Sequence, residues 1–475
     1  MITMKIGLNN FIKCVLRLLT LCLVVCVPSD GVLANEIPLR GVVEGFYGKP
    51  WTHEERIDML KFCAAHGLNA YIYAPKDDPY HRSKWREDYP TPKMDELQEL
   101  INVAKDNNVR FIFAVSPGLD INYDGLAGER DLRLMIRKLS AMYQVGVRDF
   151  AVFFDDIEQK DGRKQAKLLT RLTSDFVRTH DDVSRIITVP TEYFFNDMID
   201  DEKNTVKTYT EEFVANVPKE ILVLYTGNGV VPDGLSDDDF QKAKKIYGER
   251  LGLWWNYPVN DYMEGKLALG AIEKLPSHST MPALFFNPMR FEKLSKIALA
   301  TGADYAKDPQ KYDAESSRAR AVTEQYGKSA KAMLTFAEHS QHLENSWAKI
   351  GAQDGASMRI AFDNVIKEPN ENNLNVARRE VSALNQAIVE LKRDLPKDVL
   401  TECMPQLKLA EDIARADLTA LDLLEAMYND DAKITRYKAD LQKALTRIKA
   451  QEPKALFSDK TARAFIDEVL AKCAQ

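Results

Sequence analysis

The chain is short of cysteine, has no cluster of basic residues, and has no long apolar run after its N-terminal segment. Each shortage removes a class of protein. Of its six cysteines, Cys14, Cys22 and Cys26 fall in the first segment, and Cys63, Cys403 and Cys473 remain. An odd number cannot pair completely, so no disulfide framework is expected. Cys63 lies on the apolar face of an expected helix and reads as a buried thiol. Cys403 and Cys473 could pair in an exported protein, and the sequence leaves that pairing open. No Cys/His group has metal-ligand spacing. The seven histidines show no arrangement suited to a Ser/His/Asp triad, and there is no nucleophile elbow. The net charge of −7, without a basic stripe, argues against nucleic acid as the main partner. No G-x-G-x-x-G follows the first apolar run, which weakens a dinucleotide-binding reading. No metal and no cofactor is implied.

The apolar run that does occur is N-terminal. Lys5, Lys13 and Arg17 carry positive charge, Leu18 to Val27 is apolar, and Val32-Leu33-Ala34 fits a small-residue cleavage site. This predicts a signal peptide over residues 1–34 and a secreted or periplasmic protein. The run is too short to span a bilayer comfortably, and an uncleaved anchor or a lipobox ending at Cys26 fits less well. After Ala34 no segment is long and apolar enough to cross a membrane.

What is present is an ordinary globular composition, 45% hydrophobic and 28% charged over 475 residues. From residue 38 to about 290, β-branched or aromatic runs alternate with amphipathic stretches. The runs are Leu39–Val43, Ala70–Ala74, Arg110–Val115, Asp149–Phe154, Arg185–Val189, Ile221–Tyr225, Gly252–Trp255 and Ala283–Phe286. Between them, His53–His66, Met94–Asn107, Leu132–Tyr143, Lys164–Thr179 and Asp237–Tyr247 have helical spacing. Thr52 with Glu55 reads as a capping box. Eight such repeats in about 250 residues match a (β/α)8 barrel, with an open doubly wound sheet as the rival. Beyond about residue 310 the β-type runs stop. Stretches such as Asn373–Leu391 and Leu407–Met427 then predict a bundle of helices, to which no catalytic role is assigned. The expected organisation is a barrel over 38–305 and an all-α domain over 310–475.

The active site of such a barrel lies at the C-terminal ends of its strands. There the sequence places Glu44-Gly45, Lys76-Asp77-Asp78, Ser116, Asp155-Asp156, Thr191-Glu192-Tyr193, Thr226, Asn256 with Asp261, and Asn287. Aromatic residues interleave, among them Tyr47, Tyr193, Trp254 and Trp255. Only one of the two adjacent tryptophans can face inward, because strand side chains alternate. Hydrogen-bonding groups on an aromatic floor suit a carbohydrate. In "FFDDIEQ" two acids follow an apolar strand. If consecutive residues point opposite ways, Asp155 and Asp156 are poorly placed to flank one anomeric carbon as two glycosidase carboxylates do. They suit a substrate-assisted reaction better, in which the sugar's 2-acetamido oxygen is the nucleophile. One acid holds and deprotonates the acetamido N–H and the other protonates the leaving oxygen. Mutual repulsion would keep the donor protonated near neutrality. Other readings of the pair are a solvated turn, or oxygen ligands for a metal together with Glu158.

Several longer motifs then carry a resemblance. Gly41-Val42-Val43-Glu44-Gly45-Phe46-Tyr47-Gly48, Tyr73-Ala74-Pro75-Lys76-Asp77-Asp78-Pro79-Tyr80, Phe154-Asp155-Asp156-Ile157, Trp254-Trp255-Asn256-Tyr257-Pro258-Val259-Asn260-Asp261 and Asn287-Pro288-Met289 occur in order over residues 38 to about 310. This segment resembles the catalytic domain of glycoside hydrolase family 84, which holds the protein O-GlcNAc hydrolases and related bacterial β-N-acetylglucosaminidases. The resemblance implies a (β/α)8 barrel and substrate-assisted catalysis. It implies that Asp155 polarises the acetamido N–H and that Asp156 is the general acid/base. It further implies that the Gly45 backbone, Lys76, Asn287 and Asp261 bind sugar hydroxyls, that Tyr193 meets the acetamido oxygen, and that Trp254, Thr226 and Asn256 line the pocket. Unlike many bacterial relatives, this sequence is expected to have no domain before the barrel and no carbohydrate-binding module after it. The expectation is an exported exo-acting enzyme that removes terminal β-linked N-acetylglucosamine (GlcNAc) from glycans or glycoproteins. The alternatives are an endo-acting hyaluronidase-type glycosidase and a catalytically silent GlcNAc-binding protein.

Overall fold

Eight short apolar runs become eight strands. They are β1 (Leu39–Glu44), β2 (Ala70–Tyr73), β3 (Arg110–Val115), β4 (Asp149–Phe153), β5 (Ile187–Val189), β6 (Leu222–Tyr225), β7 (Leu251–Trp255) and β8 (Ala283–Phe286). Each pairs in parallel with the next, and β8 returns to β1, so the sheet is a closed barrel and not an open one. Strand ends lie within two residues of the runs read from the sequence. The computed structural model describes residues 35–474, so the expected signal peptide lies outside the described residues.

Alternation along the strands makes two cores. Val43, Ile72, Ala114, Phe153, Leu224 and Phe285 fill the inside of the barrel. Their neighbours Val42, Tyr71, Phe113, Val152, Val223 and Phe286 face outward into a larger core under the helices. A filled interior leaves space for a ligand at the rim.

The surrounding helices are α1 (His53–Ala65), α2 (Thr91–Asp106), α3 (Gly125–Gln144), α4 (Gly162–Asp175), α5 (Thr208–Asn216), α6 (Asp237–Tyr247) and α7 (Glu292–Lys307). The Thr52 hydroxyl accepts from the Glu55 amide (3.2 Å) while Glu55 accepts from the Thr52 amide (2.7 Å), which closes the expected capping box. Helix α3 starts seven residues before the expected stretch, because Gly125 and Gly128 interrupt its apolar period. Gly128 is needed there: a Cβ would lie 2.4 Å from the Tyr123 carbonyl carbon.

One unit breaks the βα repeat. Residues 256–282, between β7 and β8, form no α-helix and carry only a 3-10 turn at Asp261–Met263. The helical region covers this crossover instead. The Tyr257 hydroxyl donates to the Gln341 carbonyl (2.9 Å), the Leu269 amide to Ser340 (2.7 Å), and the Gln406 amide group to Gly265 (2.8 Å).

That region contains α8 (Ala314–Tyr326), α9 (Ala330–Glu338), α10 (Ala356–Lys367), α11 (Glu371–Asp394), α12 (Lys397–Tyr428), α13 (Ile434–Gln451) and α14 (Ala462–Lys472). Strand structure does not stop near residue 310 as expected. Leu343–Glu344 pairs antiparallel with Lys349–Ile350, and the turn between them holds Trp347. Two-residue strands give too short a pattern to see in sequence. Cys63, Cys403 and Cys473 are all free thiols, and Cys403 is buried on α12, donating to the Val399 carbonyl (3.3 Å). The possible Cys403–Cys473 bridge is therefore not formed. Among the described residues no helix is long and apolar enough to cross a membrane.

Candidate active site

Strand β4 ends at Phe153, so the two acids stand beyond it. Asp156 adopts φ 54°, in the left-handed region that costs an ordinary residue roughly 1–2 kcal/mol. The strand rule that would point the pair in opposite directions no longer applies, and both side chains line one cavity. That cavity has a volume of about 580 Å³, within the range of small-molecule sites, and sits at the C-terminal rim of the barrel.

The two acids have different surroundings. Asp155 is buried, and its Oδ2 is paired with the Lys76 ammonium, whereas its buried Oδ1 has no hydrogen-bond partner. Asp156 accepts from the Tyr47 hydroxyl at Oδ2 (2.7 Å) and from the Tyr193 hydroxyl at Oδ1 (2.9 Å), with Lys76 Nζ at 3.8 Å. The Arg82 guanidinium donates to the Asp156 carbonyl (3.2 Å). Burial pushes the Asp156 carboxyl up, but Lys76, the two phenols and Arg82 together hold it below the usual carboxylate range. This corrects the expectation that repulsion from Asp155 keeps the donor protonated: the charge of Lys76 lies near both carboxylates and offsets that repulsion. Burial first, then Asp156, raises both the Tyr47 and Tyr193 hydroxyls, so they stay protonated donors.

The opposite wall is an amide network. Trp254 donates its indole N–H to Asn256 Oδ1 (2.8 Å), which also accepts from Asn287 Nδ2 (3.0 Å). Asn256 donates to the Val230 carbonyl (2.8 Å), and Asn287 Oδ1 accepts from the Gly45 amide (3.3 Å). Gly45 has to be glycine, because a Cβ would sit 2.3 Å from the Trp254 ring. Trp254 faces in and meets Phe153 edge-on at 5.5 Å, while Trp255 packs in the outer core, as alternation requires. Thr226 spends its hydroxyl on the Gly229 carbonyl (2.7 Å). Asp261, on the 3-10 turn of the helix-free crossover, accepts from the Tyr47 amide (2.8 Å); burial raises its carboxyl despite that bond.

Gly45, Lys76, Asp155, Asp156, Tyr193, Thr226, Trp254, Asn256, Asp261 and Asn287, all singled out from the sequence, line this one cavity. Other polar groups at the rim turn away. Glu44 faces outward and forms a two-pronged ion pair with Arg56 (2.8 Å each). Ser116 binds His81 (3.2 Å), and Glu192 binds Thr210 (2.6 Å). Among the described residues no cluster of His, Cys, Asp or Glu is arranged to hold a metal ion, Asp155, Asp156 and Glu158 included.

Tyr47, an interleaved aromatic with no role assigned from the sequence, lines the cavity, and so do Tyr262 and Trp347, which the sequence did not place there. Tyr47 stands two residues after Gly45 and Tyr262 directly after Asp261, so both were within reach of the motifs. Trp347 comes from the helical region and is 55% exposed, with its ring centroid 5.0 Å from that of Tyr262. The signal for it was a lone tryptophan beside Asn345-Ser346, a turn-forming pair in an otherwise helical stretch.

Comparison with known proteins agrees with this geometry. Residues 40–338 match a family model described as beta-N-acetylglucosaminidase. The chain belongs to the β-N-acetylglucosaminidase family. Residues 365–466 match a second model, described as hyaluronidase post-catalytic domain-like. The family's curated relatives include the protein O-GlcNAcases of Rattus norvegicus and Mus musculus. Each is 32% identical, over 242 and 241 residues, which is 49% of this chain and 26% of theirs. The chain thus spans about a quarter of the length of these relatives. A solved structure titled CpGH84B is 37% identical with a TM-score of 0.86, covering 91% of this chain and 77% of its own. A mutant O-GlcNAc hydrolase from Thermobaculum terrenum is 28% identical with a TM-score of 0.82, covering 91% of this chain and 94% of its own.

Proposed function

We propose that this family member is an exo-β-N-acetylglucosaminidase that retains configuration through substrate-assisted catalysis. The observation that carries this reading is the unpartnered, buried Asp155 Oδ1 in a cavity that also holds Asp156. A buried carboxylate oxygen without a donor is costly, and an incoming acetamido N–H would satisfy it. That bond orients the acetamido oxygen toward the anomeric carbon. The oxygen attacks as the glycosidic bond breaks, Asp156 gives its proton to the departing oxygen, Asp155 takes the acetamido N–H proton, and an oxazoline forms. Asp156 then takes a proton from water as the water opens the ring, and Asp155 returns its proton to the nitrogen. Tyr193 would turn from Asp156 to the acetamido oxygen when the sugar is seated. Losing that donor and the pocket water both favour protonated Asp156, which readies it as the acid. Lys76, Asp261, Asn287 and the Gly45 amide are positioned to bind sugar hydroxyls.

The filled barrel below the cavity and the Trp347 and Tyr262 side chains on its wall favour a terminal sugar over a polymer threaded through. Relatives named for O-GlcNAc make that linkage the first to test, and the predicted leader would deliver the enzyme to GlcNAc-bearing glycans outside the cytoplasm. The deciding experiment compares an aryl β-N-acetylglucosaminide with the matching aryl β-glucoside. Only the first should turn over, and Asp155→Asn or Asp156→Asn should lower its kcat by orders of magnitude in a folded protein. Equal cleavage of both glycosides, or wild-type activity in either variant, would sink the mechanism. Silence toward both and toward hyaluronan would leave a sugar-binding protein, and oligosaccharides released from hyaluronan would favour the endo-acting alternative.

A further inference from the structure

Lys266 lies five residues after Asp261 in the crossover that carries Asp261 and Tyr262, and its side chain is fully buried. Its ammonium pairs with Asp354 (2.5 Å) and with Asp459, two residues of the helical region. Its backbone closes the segment around the 3-10 turn: Asn260 Nδ2 donates to the Lys266 carbonyl (2.6 Å), and the Lys266 amide to Met263 (2.8 Å). The other Asp354 oxygen, Oδ1, accepts from the amides of Gln341 (2.8 Å) and His342 (3.0 Å). Those two residues lead into the ribbon that presents Trp347. One carboxylate therefore grips both parts of the cavity wall, one through a lysine and the other through backbone amides.

We propose that the Lys266–Asp354–Asp459 cluster is a positioning device, by which the helical region sets the Asp261–Tyr262 turn and the Trp347 ribbon against each other. It ties down the crossover between β7 and β8, which has no α-helix of its own. None of the three residues touches the substrate; they act through Asp261, Tyr262 and Trp347. A buried charge cluster is weak evidence for stability, because desolvation opposes its attraction, but it enforces one geometry. The inference rests on the activity proposed above.

The test uses the full chain and an aryl β-N-acetylglucosaminide. Asp459→Asn is the milder variant, since it leaves Lys266 and Asp354 as a neutral pair; Asp354→Asn is the stronger. In protein that circular dichroism shows to be folded, KM should rise about fivefold or more for Asp354→Asn, and less for Asp459→Asn, with kcat within about twofold of wild type. In a Trp347→Ala background the same Asp354→Asn change should add much less to KM, because part of what it positions is gone. A drop in Tm with KM unchanged in both variants overturns the inference, as do fully additive effects in the double variant. If Asp354→Asn fails to fold, Asp459→Asn alone decides by its KM. An inactive wild-type chain would overturn the activity and the inference together, whereas an active wild type with normal KM in the variants overturns the inference alone.

Discussion

Asp156 differs from an ordinary turn aspartate in its backbone and in its partners. Its left-handed backbone brings it beside Asp155, and two phenols then hold it. Hydrogen bonds to an ionised carboxylate lower its pKa, so removing one must raise it. Tyr47→Phe should therefore keep Asp156 protonated to higher pH, and the upper limb of the kcat/KM profile should move toward alkaline pH. An unmoved limb would mean that another group governs it. Asp156→Ala should cost about 10²–10⁴-fold on substrates with poor leaving groups and far less on activated aryl glycosides, which need little protonation. Both acids were legible in the sequence. Their shared direction was not, because strand alternation predicts the opposite and nothing local announces φ 54°.

Two elements set the pocket walls, and both are irregular. The crossover of residues 256–282 carries Asp261 and Tyr262 in place of a helix, and the turn of the ribbon over residues 343–350 carries Trp347. An exposed aromatic at a cavity edge contributes by stacking, worth about 1 kcal/mol. Trp347→Ala should accordingly raise KM for an aryl N-acetylglucosaminide roughly fivefold while kcat stays near wild type; a loss confined to kcat would contradict that role. On the other wall the strand β1 terminus meets Trp254 at Gly45. Gly45→Ala should force the indole to move, disturb the Asn256–Asn287 network and raise KM, and a crystal structure of the variant would show the displaced ring.

Two largely buried acids of the helical region lie away from the cavity, and one of them joins that region to the barrel. Glu402 on α12 accepts from the amides of Lys293 (3.1 Å) and Leu294 (2.9 Å) at the start of α7. Burial raises its pKa to about 7 against those two bonds. An acid whose folded pKa is raised favours the fold while protonated and stops doing so as pH climbs through the folded value. Wild-type Tm should therefore fall between about pH 4.5 and 7 from this residue, and Glu402→Gln should flatten that slope. Asp417, also on α12, is fully buried with both oxygens unpartnered, and burial raises its pKa well above the usual carboxylate range. Asp417→Leu, which keeps the branching and removes the unpartnered oxygens, should stabilise the chain at neutral pH by about 1–3 kcal/mol, read from denaturant unfolding. A destabilised variant would mean that Asp417 has a partner the apolar side chain cannot replace.

Strand-by-strand patterning was enough to read the eight strands and a barrel with an open sheet as its rival, because apolar runs are local features, while the family resemblance set the ten residues around the mouth apart from the other polar groups at the strand ends. The same patterning showed that a helical region follows. It could not show that one crossover lacks a helix, that Glu44 points away while its neighbour Gly45 admits an indole, or that Trp347 reaches the pocket from more than sixty residues beyond β8. Those facts depend on contacts between segments far apart in the chain. Burial of Lys266 against Asp354 and Asp459, 88 and 193 positions away, is such a contact, and no local period encodes it.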